Sequence, residues 1–220
     1  MEALDIIKER KSIRAFKPNP ISKEVMQKIM IAAGNSPSYT NTQPWKTVVV
    51  SGQKRIALSQ ELLGLIKNNI TKSPDIPLPT SWPQEMENYS REHGARRLDI
   101  LGIDRNDQEG RKKLSLMNFE FYGAPCAVFL FMDQSLGVWS VYDMGLFTQN
   151  LILAAYSLGI GSCIQASVTE YAGEIKKFLN IAEDQKLVAC ISMGYPDTEA
   201  KLNQYRSLKK ALPDYLKWFE

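Results

Sequence analysis

The chain has 220 residues, 44% of them hydrophobic and 23% charged, which suits one globular domain with a sizeable core. Its net charge of +3 is compatible with small anionic ligands and gives no argument for nucleic acid. No apolar run reaches the ~20 residues that a membrane span needs, and the start MEALDIIKERK is too evenly charged for a signal peptide, so a cytoplasmic location is expected.

Residues 2–10 place Leu4 and Ile7 on one face of a short helix. The stretch ERKSIRAF (9–16) follows, with Arg10, Lys11, Ser12 and Arg14 within five residues. In isolation such a cluster is commonly a solvated face. Arg10, Ser12 and Arg14 alternate, however, so an extended backbone points them the same way. Two guanidiniums flanking a hydroxyl make a phosphate clamp. Ser22 can cap a second helix, with Val25, Ile29, Ala32 and Ala33 turned to a core. The stretch SPSYTNTQPW (36–45) then crowds polar groups and two prolines just before the strand KTVVVSG (46–52). A helix over 53–68 carries Ile56, Leu62, Leu63 and Ile66.

Four prolines make 71–83 a long loop, and polar helical segments follow near 84–100 and 107–121. The whole stretch 71–122 is less apolar than its surroundings and reads as a helical lid or insertion. APCAVFLFMD (124–133) is short enough to be a buried strand. YDMGLFTQNLILAAYSLGIG is a largely apolar central helix closed by Gly159 or Gly161. A short strand near 162–166, a helix over 169–179 and the strand KLVACISMGYP complete the core elements. The tail carries Asn203, Arg206, Lys209 and Lys210, then ends in YLKWF. Strands interleaved with long helices imply a sandwich whose sheet is covered on both faces.

Side-chain nucleophiles find little support. Cys126, Cys163 and Cys190 lie in apolar or small-residue stretches without a C-x-x-C pair and read as buried thiols. The sole histidine, His93, lies in the polar YSREHGARR and reads as a solvated surface residue. G-x-S-x-G, P-loop and G-x-G-x-x-G motifs are absent from the sequence. Asp104, Asp107 and Glu109 lack the glycine of a calcium loop and read as a helix start. Three polar clusters at three connections suggest instead one elongated anionic ligand.

ERKSIRAF and, two dozen residues later, PSYTNTQPW resemble the N-terminal signature of the FMN-dependent nitroreductase family. The resemblance continues through GAPCAVFLFMD, YDMGLFTQNLILAAYSLGIGS and SMGYPD, and so spans nearly the whole chain. EGRKKLSLMNFEFYGAP is most similar to the branch that reduces nitrobenzoate- and nitrobenzene-type substrates. The resemblance implies an α+β three-layer sandwich: a mixed, mostly antiparallel sheet flanked by helices, in a domain-swapped homodimer with FMN in two interface sites. It implies a single domain over 1–220, with 200–220 as a dimer-embracing tail.

Carried over by position, Arg10 and Ser12 would meet the FMN phosphate and ribityl chain, and Lys11 would add backbone or ribityl contacts. Arg14 would approach the N1 edge, where a cation stabilises the reduced ring. Arg206 and Lys209 would be C-terminal phosphate ligands. Gln165, Ala166 and Ser167 would face flavin N5 and O4 through backbone N–H groups, with Ile164 in place of a frequent proline. Pro37, Ser38, Tyr39 and Asn41 would lie against the other subunit's flavin, while Gln43 and Trp45 are open between packing and function. Trp82, Tyr89, Phe119 and Phe121 could stack on substrate or belong to the core.

The implied activity is ping-pong, two-electron reduction of a small aromatic substrate, with NADH or NADPH as donor. No catalytic side chain and no metal are expected. Reduction of flavins, quinones or enones, dehalogenation, and non-catalytic FMN binding remain open as alternatives.

Overall fold

In the computed structural model, which describes residues 2–220, the sheet is made of β1 (Lys46–Ser51), β2 (Cys126–Asp133), β3 (Gly161–Gln165) and β4 (Gln185–Gly194). They pair in the order β1-β2-β4-β3, every neighbour antiparallel. The one parallel contact among the described residues is the isolated bridge Ser12–Ser162, so the expected mixed character is confined to it. Strand β2 is buried from Cys126 to Met132, because both of its faces are covered. Its period of two sends Cys126, Val128, Leu130 and Met132 into one core and Ala127, Phe129 and Phe131 into another.

The helices divide between these cores. In chain order they are α1 (Ala3–Glu9), α2 (Lys23–Gly34), α3 (Gly52–Lys67), α4 (Gln84–Leu101), α5 (Gln108–Leu116), α6 (Val138–Ser157), α7 (Ala172–Leu179) and α8 (Lys201–Gln204). Helices α2 and α6 close the first core with Met26, Ile29 and Ala33 against Met144, Phe147, Leu151 and Ala155. Helices α3 and α7 close the second with Leu58, Leu62 and Ile175, joined by Phe119 and Phe121. The result is the expected α+β three-layer arrangement. Fully buried side chains such as Phe129 and Phe131 each contribute roughly 1.5–3 kcal/mol through removal of apolar area from water.

Local signals set several boundaries. Ser22 Oγ accepts from the Val25 N–H at 3.3 Å, and Asp107 accepts from the Gly110 N–H at 2.8 Å, so both expected helix starts form. Past the end of α6, Gly159 takes φ +75°, a conformation that favours glycine.

Other expectations need correcting. Ala32 is exposed, and Met26 takes the inward position on α2. Leu4 and Ile7 of α1 are 79% and 54% exposed rather than packed. The segment expected as a helix to 121 stops at Leu116, because Phe121 and Tyr122 both adopt φ +54° in a turn that carries Phe121 into the core. The helix expected from 169 begins as a 3-10 turn over Ser167–Tyr171.

The proline-rich loop 71–83 is anchored by Asp75. Its carboxylate accepts from Lys176 Nζ at 3.2 Å and from the Leu187 N–H at 2.8 Å. Helix α4 has no buried residue and lies outside both cores. No helix among the described residues is long and apolar enough to cross a membrane.

Candidate functional site

Leaving α1, the chain runs extended along the edge strand β3. The Ile13 N–H donates to Ser162 O at 2.9 Å, and the Lys17 N–H donates to Tyr195 O at 2.8 Å. Ile13 is buried against Gly161, where an added Cβ would come within 2.8 Å of its side chain. A glycine is required there for the N-terminal segment to approach the sheet so closely.

Asn203 locks the same segment to the C-terminal region. Its Oδ1 accepts from the Arg14 N–H at 2.7 Å, and its Nδ2 donates to Ala15 O and Asp197 O, each at 2.7 Å. Its carbonyl accepts from Lys11 Nζ. Asn203 is 3% exposed, so this polar residue of the tail is a buried, fully used splice between chain ends.

Between those ends opens a cavity of about 880 Å³, within the range of small-molecule sites. Lys8, Arg10, Lys11, Arg14, Arg206 and Lys209 line it, opposed by Glu9. Ser12 lines it too, so the alternation Arg10-Ser12-Arg14 does face one space. The Arg206 guanidinium donates to Lys8 O and Glu9 O, the last carbonyls of α1, where a cation is favoured. Burial lowers the pKa of Arg10, and repulsion from Arg206 lowers it further. Arg14 Nε is buried and has no acceptor among the described residues. Crowded positive charge and an unused donor suit a phosphate-bearing ligand, so the residues fit the FMN that the sequence implies.

His93, expected on the surface, stands on the wall of this cavity. It is half-buried, its Nδ1 lies 2.7 Å from the Tyr205 hydroxyl, and the two rings meet edge-on at 5.1 Å. Burial, then Arg14, Arg97 and Lys209, hold its pKa below the ordinary imidazole value. Nothing in YSREHGARR announces a partner 112 residues away.

The loop 36–45 folds as a strained turn. Thr40, Asn41 and Gln43 take φ of +49°, +60° and +49°, which non-glycine residues seldom adopt. Several contacts hold it. Asp143 Oδ1 accepts from the Tyr39 N–H at 3.1 Å, Ser38 Oγ accepts from the Gln43 N–H at 3.0 Å, and Asn150 donates to Ser36 Oγ at 2.8 Å. Tyr39 stacks on Trp139 at 5.8 Å. Trp45 stacks on Phe147 at 4.9 Å and is a packing residue, while Gln43 stays exposed. Pro37, Ser38, Tyr39 and Asn41 do not line the cavity of their own chain. Asp143, missed from sequence, is 2% exposed, and its Oδ2 has no donor among the described residues.

Gln165, Ala166 and Ser167 also lie outside that cavity. The Gln165 side chain is spent inside the fold: Nε2 donates to Asn118 O at 2.7 Å, and Oε1 accepts from the Ser192 hydroxyl. Phe119 and Phe121 are core residues, whereas Trp82 and Tyr89 are exposed. The three cysteines are buried and unpaired; burial pushes Cys126 up to about 12 and raises the other two, which keeps all three as neutral thiols.

The sandwich carries, between its chain ends, a cationic cavity that suits a phosphate-bearing ligand. Residues 7–195 match the profile of the Nitroreductase family, and the chain belongs to that family. It is 35% identical to the 4-nitrobenzoate reductase of Pseudomonas putida, over 91% of this chain and 88% of that protein. To the nitroreductase NfnB of Mycolicibacterium smegmatis it is 34% identical, over 95% of this chain and 89% of the relative. The crystal structure of the FMN-dependent nitroreductase NfnB from Mycobacterium smegmatis in complex with NADPH superposes with a TM-score of 0.95, covering 99% of this chain and 98% of that one at 32% identity.

Proposed function

We propose that the protein is an FMN-dependent NAD(P)H oxidoreductase that reduces nitroaromatic compounds in two-electron, ping-pong steps. The observation that carries this reading is the cationic cavity, where Arg10 and Arg206 repel each other and Arg14 keeps a buried donor unused. Arg10, Ser12, Arg206 and Lys209 would hold the phosphate and ribityl chain. Lys11, its amine already on Asn203 O, would contribute through its backbone. Arg14 would meet the ring edge, and Gln165, Ala166 and Ser167 would act through backbone N–H groups. Bound FMN would supply the hydride relay between the nicotinamide and the nitroarene. Similarity to a 4-nitrobenzoate reductase and to an FMN-dependent nitroreductase solved with NADPH supports this choice of donor and acceptor.

The working form in this reading is a homodimer in the cytoplasm, where three free thiols stay reduced. Pro37, Ser38, Tyr39 and Asn41 would serve the partner's flavin, since they stand away from their own chain's cavity. Exposed apolar groups such as Leu4, Ile31, Trp139, Trp218 and Phe219 favour such a partner. Residues 71–122 would act as a lid and 200–220 as the embracing tail of one domain.

Purified protein should be yellow, with one FMN per chain. It should give parallel-line kinetics when NADPH or NADH is varied against 4-nitrobenzoate. Protein that takes up no FMN supplied in excess removes the reading, and a flavoprotein without turnover reduces it to FMN binding.

A further inference from the structure

Helix α4 buries no residue in either core, so something else must hold it in place. Four side chains spaced by four, Glu85, Tyr89, His93 and Arg97, lie along one of its faces. Three of them contact the C-terminal segment. Glu85 pairs with Lys210 at 2.7 Å, the same ammonium lies 4.8 Å from the Tyr89 ring, and Tyr205 bonds His93 at 2.7 Å. The Lys210 contacts are exposed to solvent and therefore weak. The Tyr205–His93 contact joins a 5%-exposed tyrosine to a half-buried imidazole on the cavity wall. Arg206 and Lys209, which line that cavity, fall between the two tail residues that hold α4.

We propose that Tyr205 and His93 are a positioning pair that ties α4 to the anion-binding segment, so that docking of a phosphate on Arg206 and Lys209 and ordering of α4 over the cavity are one coupled event. The proposal rests on the FMN reading for the identity of the phosphate and not for the pair itself.

The direction of the bond follows from the inventory of partners. The Tyr205 hydroxyl has no other partner among the described residues, and a phenol that only accepted would leave its own proton unsatisfied. Tyr205 therefore donates, His93 Nδ1 accepts, and Nε2 carries the ring proton. The bond needs a neutral imidazole. Protonation would remove the acceptor and set a second charge against Arg14 from the N-terminal segment, Arg97 from α4 itself and Lys209 from the tail. Of the nearby carboxylates, Glu92 pairs with Arg96 at 2.7 Å and Asp214 accepts from the Ala211 N–H at 2.9 Å, while Glu9 lies on the same cavity wall among Lys8, Arg10, Lys11 and Arg206. His93 has a lowered pKa, so the pair is intact above the ordinary imidazole value of about 6.5 and is lost as pH falls through His93's own, lower value.

His93 is the only histidine, so in untagged protein a single imidazole proton resonance reports it without assignment. In the FMN-loaded protein its midpoint should rise in Tyr205→Phe, which withdraws the donor. Amide exchange over 84–101 should slow when FMN is added to the wild type. In Tyr205→Phe and His93→Phe it should be roughly tenfold faster at neutral pH and insensitive to FMN. His93→Gln, which restores an acceptor without the ring, should recover slow exchange, whereas a requirement for ring packing alone would favour His93→Phe. A midpoint that Tyr205→Phe leaves in place overturns the proposal, as does exchange in α4 that neither Phe variant alters. Failure of the flavin reading looks different: FMN would not bind, while the resonance shift in Tyr205→Phe would persist.

Discussion

Arg10 illustrates how a residue can be costly to its own fold. Burial and the facing Arg206 both work against its charge, and a bound phosphate would reverse the second effect. Arg10→Ala should therefore weaken FMN retention by about 2–3 kcal/mol, as expected for loss of a charge-assisted contact. It should leave thermal stability of the flavin-free protein unchanged or improved. Equilibrium dialysis and a melt without FMN check both halves. Asp143 is the opposite case, a buried carboxylate whose visible task is to hold the Tyr39 N–H beneath a turn with three strained residues. Asp143→Ala should release that turn and lower FMN occupancy, while Asp143→Asn, which keeps an acceptor, should restore most of it. Flavin absorbance per chain on the purified variants decides between them.

Elements whose cause is local were legible in the sequence. Ser22 and Asp107 cap the helices they precede, the run 126–132 is a two-faced strand, and Gly159 stands past the end of α6. That Arg10, Ser12 and Arg14 face one space was legible because an extended chain has period two. What the sequence hid depends on distant partners. The α1 face reads as core and is exposed, the 107–121 segment breaks for the sake of Phe121's burial, and His93 acquires Tyr205 across the fold. Asp75 belongs to the same group. A lone carboxylate among prolines fixes the loop 71–83 by taking Lys176 and the Leu187 N–H. Asp75→Ala would leave a lysine that is 7% exposed with only its 3.7 Å contact to Glu183 and would orphan a strand N–H, so chemical denaturation should register a loss of roughly 2–4 kcal/mol. Asp75→Asn should lose less, because it can still accept from the backbone.

At the scale of the whole molecule, the proposed site draws on two chains. Arg10 lines the cavity with Arg206 and Lys209, whereas Asn41 sits on an exposed turn outside it. In the proposed homodimer each flavin would take Arg10 from one subunit and Asn41 from the other. Arg10→Ala and Asn41→Ala homodimers would then each carry damage at both sites. A heterodimer with one substitution per chain behaves differently, since one site receives both altered residues and the other receives none. Two-tag co-expression should therefore yield one nearly normal flavin and about half of the wild-type activity per dimer, given independent sites. If Arg10 and Asn41 served one flavin within a chain, both sites of the heterodimer would keep one defect, and no full-strength site would form. FMN titration separates the outcomes as one tight and one very weak site, or two of intermediate strength. The second result would place the strained turn and its Asp143 anchor on the same side as the cavity, and the turn would then have to move to reach it.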